Sequence, residues 1–246
     1  MSTATDIAPT LLDFAALSDI GSVRTRNEDS NAWDSRLGVF VLADGMGGHR
    51  AGDVASRLAT EGILVALRDE LPMHAPQRVL TAITRLNTEI FDLASHRPEF
   101  AGMGTTVIAV ALQGALLCSG HVGDSRLYRW REGRLERLTR DHTVAEEWLS
   151  AGHDNPTIST GAGILQQLTR ALGATPEVEV DYAEHALRRG DRFLLCTDGL
   201  TRAIDDAELA RWIAAPLSAD LRVRSLIDLA NQRGGQDNAS AIALDF

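Results

Sequence analysis

Seven short runs of strand-forming residues recur along the chain: "FAALSDI" (14–20), "LGVFVLA" (37–43), "TTVIAVAL" (105–112), "ALLCSGHV" (115–122), "RLYRW" (126–130), "RFLLCT" (192–197) and "SAIALDF" (240–246). Gln113-Gly114 separates two of them and Glu132-Gly133 follows a third, as hairpin turns do. Helical patterns lie between the runs. Val79, Ile83, Leu86, Ile90 and Leu93 are spaced 4, 3, 4, 3 and share one helix face. Residues 51–71 form a second helical pattern. Residues 218–234 form a third, with Ser218 as N-cap and Gly234 as stop. This order of elements predicts an α+β chain of antiparallel hairpins covered by helices.

Composition narrows the function. With 246 residues and 44% hydrophobic content, the chain has enough apolar material for a sizeable core. A net charge of -10 argues against a general nucleic-acid or anionic-membrane binder, which needs a basic face, and leaves room for a local cationic pocket. All 24 basic residues are arginine, so no lysine-based catalysis is open to it. Cys118 and Cys196 both sit in apolar runs and read as reduced, buried thiols. The N-terminal residues lack a signal-peptide pattern, and no apolar run reaches the ~20 residues that span a bilayer. A cytoplasmic protein without a membrane partner is the expectation.

Acids stand at the ends of these runs. Asp44 ends "LGVFVLA" before a glycine-rich loop, Asp198-Gly199 follows "RFLLCT", and Asp124 follows "ALLCSGHV". Asp237 precedes the last run, and Glu28 and Asp29 lie together in "RTRNEDS". One Asp-Gly is ordinary turn chemistry; five such segments are harder to assign to turns alone. Carboxylates gathered in space repel and raise each other's pKa unless a cation neutralises them. Oxygen ligands without a His or Cys cluster suit Mg²⁺ or Mn²⁺, and one Asp shared by two ions would make a water-activating binuclear site.

Eight stretches in order, "GSVRTRNEDS", "VLADGMGGH", "GMGTTVIAV", "HVGDSRLYRW", "LTRDHT", "LTRALG", "LLCTDGL" and "GGQDNASAI", resemble the motif set of the bacterial metal-dependent (PPM, type-2C) serine/threonine protein phosphatases. The match runs from about Ser18 to Phe246. The resemblance implies a four-layer α/β/β/α sandwich with two antiparallel sheets and a binuclear metal site at one edge. It implies one catalytic domain over 1–246, with a short N-terminal extension 1–13 and a flap at about 143–170.

The resemblance also implies residue roles. Asp44 would bridge two metals, and the Gly45 carbonyl would complete one shell. Asp198 and Asp237 would be direct ligands. Glu28 and Asp29 would hold metal-bound waters, and Asp124 a third, weaker ion. Arg24 would hold the substrate phosphate, a bidentate match for a guanidinium. The reaction implied is hydrolysis of phosphoserine or phosphothreonine by direct attack of a metal-bridging hydroxide, with two core Mn²⁺ or Mg²⁺ ions. Some relatives place a His directly after "DG"; here Met46 stands there, and His49 is the candidate general acid. Phosphorylated proteins, a cognate Ser/Thr kinase and a monomeric state complete the expectation. The alternative is a non-catalytic relative that binds phosphoproteins or senses metal. Cys196, Gly199 and Arg202 also have cysteine-phosphatase spacing, but Leu195 and Ala203 depart from that pattern and Asp198 would repel phosphate.

Overall fold

The computed structural model describes residues 9–47, 51–69, 75–153 and 162–246. Strand β3 (Val39–Met46) shows why the apolar runs become strands. Side chains alternate across a strand, so Val39, Val41 and Ala43 face one apolar layer while Phe40 and Leu42 face another. Burial on both faces makes the run read as continuously apolar. β5 (Val107–Gln113) repeats the pattern, with Val107, Ala109 and Ala111 on one side and Ile108 and Val110 on the other.

The strands form two sheets. The first runs β1 (Asp13–Asp19), β11 (Ala239–Asp245), β10 (Arg192–Cys196), β7 (Arg126–Arg131) and β8 (Arg134–Arg137). The second runs β2 (Asp29–Asp34), β3, β5, β6 (Leu116–Val122) and β9 (Asp181–Ala186), with β4 (Gly104–Thr105) paired to the end of β3. Neighbouring strands pair antiparallel. The β7–β8 turn has positive φ at both Glu132 (51°) and Gly133 (82°), the two-residue geometry whose twist matches the strands it joins.

Helices α1 (Gly52–Asp69) and α2 (Ala75–His96) cover the outer face of the second sheet through Ala55, Ala59, Ile63, Val79, Ile83, Leu86 and Ile90. Helices α3 (Val144–Ser150) and α4 (Ala162–Leu165) lie between β8 and β9 in sequence. Helices α5 (Asp198–Ala203), α6 (Asp206–Ala214) and α7 (Ala219–Gln232) cover the first sheet through Leu200, Leu209, Val223, Leu226 and Ile227. Ser218 caps α7, its hydroxyl accepting from the Leu221 N–H at 3.3 Å. Between the sheets, Phe40, Ile108, Leu117, Leu127, Phe193, Leu195 and Ile242 form the central layer. Each fully buried side chain of this kind contributes roughly 1.5–3 kcal/mol. The result is the four-layer α/β/β/α sandwich. Among the described residues no helix is long and apolar enough to cross a membrane.

Candidate functional site

The acids at strand ends meet at one edge of the sandwich. Glu28 precedes β2 and Asp44 lies in β3, both on the second sheet. Asp124 sits in the turn from β6 to β7, Asp198 opens α5 directly after β10, and Asp237 precedes β11. Together with Arg24 and Gly45 they line a cavity of about 280 Å³. β3 does not stop at Asp44. It continues through Gly45 and Met46, which pair with Thr105 and Gly104 of β4.

Backbone and hydroxyl contacts hold these carboxylates. Asp29 and Asp44 are register partners on β2 and β3. The Asp44 N–H donates to Thr106 Oγ1 at 3.0 Å, and the Asp44 carbonyl accepts from the Thr106 N–H and the Thr105 hydroxyl, each at 2.9 Å. Thr106 is fixed in turn by Ser125 at 2.8 Å. A side chain on Gly45 would collide with the carbonyl oxygens of Gly52 and Glu28, so only glycine lets β3, the start of α1 and the Glu28 segment meet here. Asp237 Oδ1 accepts from the Asn238 N–H, while Oδ2 accepts from Arg24 at 2.9 Å.

Burial and mutual repulsion act on these acids together. Desolvation, then Asp29, Asp198, Asp124 and Asp237, push Asp44 well above the usual carboxylate range. Desolvation pushes Asp124 up to about 7, with Asp198 and Asp141 adding to it. Asp29 rises to about 7 through desolvation, although the Ser240 and Thr197 hydroxyls donate to its Oδ2 at 2.6 and 2.9 Å. Asp198 and Glu28 also rise, mainly through desolvation, and arginines oppose the rise: Arg202 at Asp198, Arg24 at Glu28.

This donor set fits a hard divalent cation. Its ligands are all oxygen, and a cation would relieve the repulsion that raises the acids. Asp29 Oδ1 and Asp198 Oδ1 are buried without a hydrogen-bond partner, which a cation or its waters would satisfy. A second cluster, His121, His142 and Asp181, fits a metal poorly. The Gly123 N–H donates to His142 Nδ1 at 3.0 Å, so the neutral ring carries its proton on Nε2, facing Asp181 at 3.2 Å. His142 also donates its backbone N–H to the Gly123 carbonyl at 2.8 Å, and so grips the residue before Asp124 from both sides.

One predicted residue stands apart from the cavity lining, and another has no described position. Asp29 is buried beneath the lining, and His49 lies outside the described residues. Seven lining residues were missed: Met46, Gly47, Thr106, Gln166, Leu168, Arg202 and Asn238. Arg202 could have been found, because it follows Asp198 by four residues in "TDGLTR", one helical turn. Asn238 is the "N" of "QDN". Its buried amide donates to the carbonyls of Ile20 and Arg26 and accepts from the Glu28 N–H, binding the Arg24 loop to Asp237. The cysteine mechanism fails on geometry. Cys196 is fully buried in the α5–α7 layer, and desolvation pushes its thiol up to about 12.

Comparison with known proteins agrees with this arrangement. The chain is 36% identical over 235 residues to "Serine/threonine protein phosphatase PstP" of Mycobacterium tuberculosis, covering 96% of this chain but 45% of that relative. The chain thus spans about half the length of that protein. It is 31% identical to "Serine/threonine phosphatase stp" of Listeria innocua, covering 92% of this chain and 93% of the relative. A crystal structure of the catalytic domain of PstP in complex with two manganese ions superposes with a TM-score of 0.85 at 35% identity, covering 96% of this chain and 98% of the other. The family profile "Protein phosphatase 2C" matches residues 22–231. Matched over most of its length, and built as a sandwich with acids gathered at one edge, the chain belongs to the protein phosphatase 2C family.

Proposed function

We propose that this chain is a metal-dependent serine/threonine protein phosphatase. The observation that carries the reading is the convergence of Asp44, Asp124, Asp198 and Asp237 on one cleft, with the Arg24 guanidinium beside them. Asp44, the Gly45 carbonyl, Asp198 and Asp237 would hold two Mn²⁺ or Mg²⁺ ions, Glu28 and Asp29 would anchor their waters, and Asp124 would hold a third. Bound there, the ions supply an activated water and neutralise phosphoryl charge. Arg24 binds and orients the phosphate, its fork aimed across the acidic floor. Thr105 and Thr106 hold Asp44 in place, and Thr197 and Ser240 hold Asp29. His49 is the candidate donor to the departing serine or threonine oxygen.

In this reading residues 1–246 act as one catalytic domain with a flap at about 143–170, of which residues 154–161 lie outside the described residues. Gln166 and Leu168 from its end line the cavity. Phosphorylated Ser/Thr proteins are the substrates, a cognate kinase is the natural partner, and the protein works as a cytoplasmic monomer. The test is turnover of p-nitrophenyl phosphate and a phosphothreonine peptide with Mn²⁺, lost in EDTA. Tight calorimetric Mn²⁺ binding with no turnover of either substrate would favour the non-catalytic binder instead.

A further inference from the structure

Arg202 lies in the last turn of α5, four residues after Asp198. Side chains on a helix lean toward its N-terminus, so the guanidinium folds back over the start of α5 and reaches the cleft. There Nη2 pairs with Asp198 Oδ2, and Nη1 lies 3.3 Å from Asp237 Oδ2. Arg24 comes from a different segment, the loop between β1 and β2, and its Nη2 lies 2.9 Å from that same oxygen. Both side chains are about half exposed, 46% and 48%. Among the described residues lining the cleft, these two carry the positive charge.

From this geometry we infer that Arg202 is a second phosphate-binding residue, paired with Arg24 as the two jaws of a cradle above the acids. The inference rests on the phosphatase reading and extends it to a residue outside the motif roles. Because both guanidinium groups reach one carboxylate oxygen, the two nitrogens stand within about 6 Å of each other. Two guanidinium groups that close together can each donate a hydrogen bond of about 2.8 Å to the oxygens of a single phosphate. The contacts to Asp198 and Asp237 use one N–H of Arg24 and two of Arg202, and a guanidinium carries five. Donors therefore remain on both heads. A phosphate dianion entering a cleft floored by carboxylates gains more from two flanking cations than from one. The competing role for Arg202 is a counter-ion for Asp198 and nothing more.

The two roles separate in the Mn²⁺-loaded protein. Arg202→Gln should weaken calorimetric binding of inorganic phosphate at least fivefold, raise KM for p-nitrophenyl phosphate in parallel, and leave the Mn²⁺ Kd within threefold. Arg202→Lys keeps a point charge without the fork and should bind phosphate between the two. Phosphate affinity within twofold of wild type in Arg202→Gln overturns the inference. So does tenfold tighter Mn²⁺ binding with phosphate affinity unchanged, the signature of a counter-ion. If the wild-type protein turns nothing over, the phosphatase reading fails, yet the phosphate titration still decides what Arg202 does.

Discussion

Asp29 and Asp44 stand opposite each other across β2 and β3, one locked beneath the cleft by Thr197 and Ser240, the other at its floor. Two carboxylates so placed, with Asp124 and Asp198 near, prefer to keep protons. Their folded pKa values lie above the unfolded ones, with Asp29 and Asp124 at about 7. The stability such groups contribute is present below their unfolded pKa near 4 and is lost as pH rises toward 7. Mn²⁺ needs the deprotonated carboxylates, so its stabilisation grows over the same window. The rise in Tm on adding Mn²⁺ to EDTA-treated protein should therefore be larger at pH 7.5 than at pH 5.5. Equal rises at both would refute the carboxylate assignment.

Arg24→Ala should raise KM for small phosphoesters about tenfold, a loss of ~1.4 kcal/mol, while the Mn²⁺ Kd stays within threefold. Arg24 touches Asp237 through one N–H and is half exposed, so its removal leaves the acids in place. A variant that lost metal and kept its KM would move Arg24 from phosphate to metal support.

Asp44→Asn should abolish turnover and the tighter metal binding together, because Asp44 lies at the centre of the acid cluster. Asp124→Ala removes a group that a separate turn supplies, and it should keep two-ion binding while slowing hydrolysis of a phosphoprotein. Calorimetric stoichiometry with Mn²⁺ tells them apart. Loss of every ion in Asp124→Ala would rule out its role at a third site.

His121 gives a pH prediction of opposite sign. Its ring is buried, and desolvation, helped by His142, pushes its pKa down to about 3. Unfolded, it titrates near 6.5. Its stability contribution is present above that value and is lost as pH falls toward 3. Measured in EDTA, the Tm advantage of wild type over His121→Gln should shrink between pH 7 and pH 4.5. The linked change is about 2 kcal/mol. A constant difference across that range would mean the ring does not stay neutral.

Most of the central strands were legible because both their faces are buried. The strands that sequence reading missed, β2, β8 and β9, all lie at sheet edges. "DSNAWD", "RLER" and "DYAEHA" meet solvent and pair through the backbone, so their side chains show no continuous apolar run. Four short helices, α3 to α6, were missed, and at α5 the acid misled. Asp198 reads as a strand-end acid, yet it begins α5, and Asp205 caps α6 by accepting from the Glu208 N–H at 2.8 Å. The acids at the cleft were legible as a set. The partners that fix them, Thr106, Ser240 and Asn238, were not, because a small polar residue declares its role only once a distant segment is packed beside it.

Neither sheet owns the cleft. Glu28, Asp44 and their neighbours belong to the second sheet, Asp198 and Asp237 to the elements that flank β10 and β11 in the first. The spacing between carboxylates is thus an alignment between two separately built halves, set by the side chains sandwiched between them. Phe40, Ile108 and Ile242 act as shims in that layer. Thinning a shim, as in Phe40→Ala, would let the halves settle and tilt. The ligand set would then drift out of focus although every acid remained present, and a defect far from the cleft would look, in an assay, like a fault in the cleft itself.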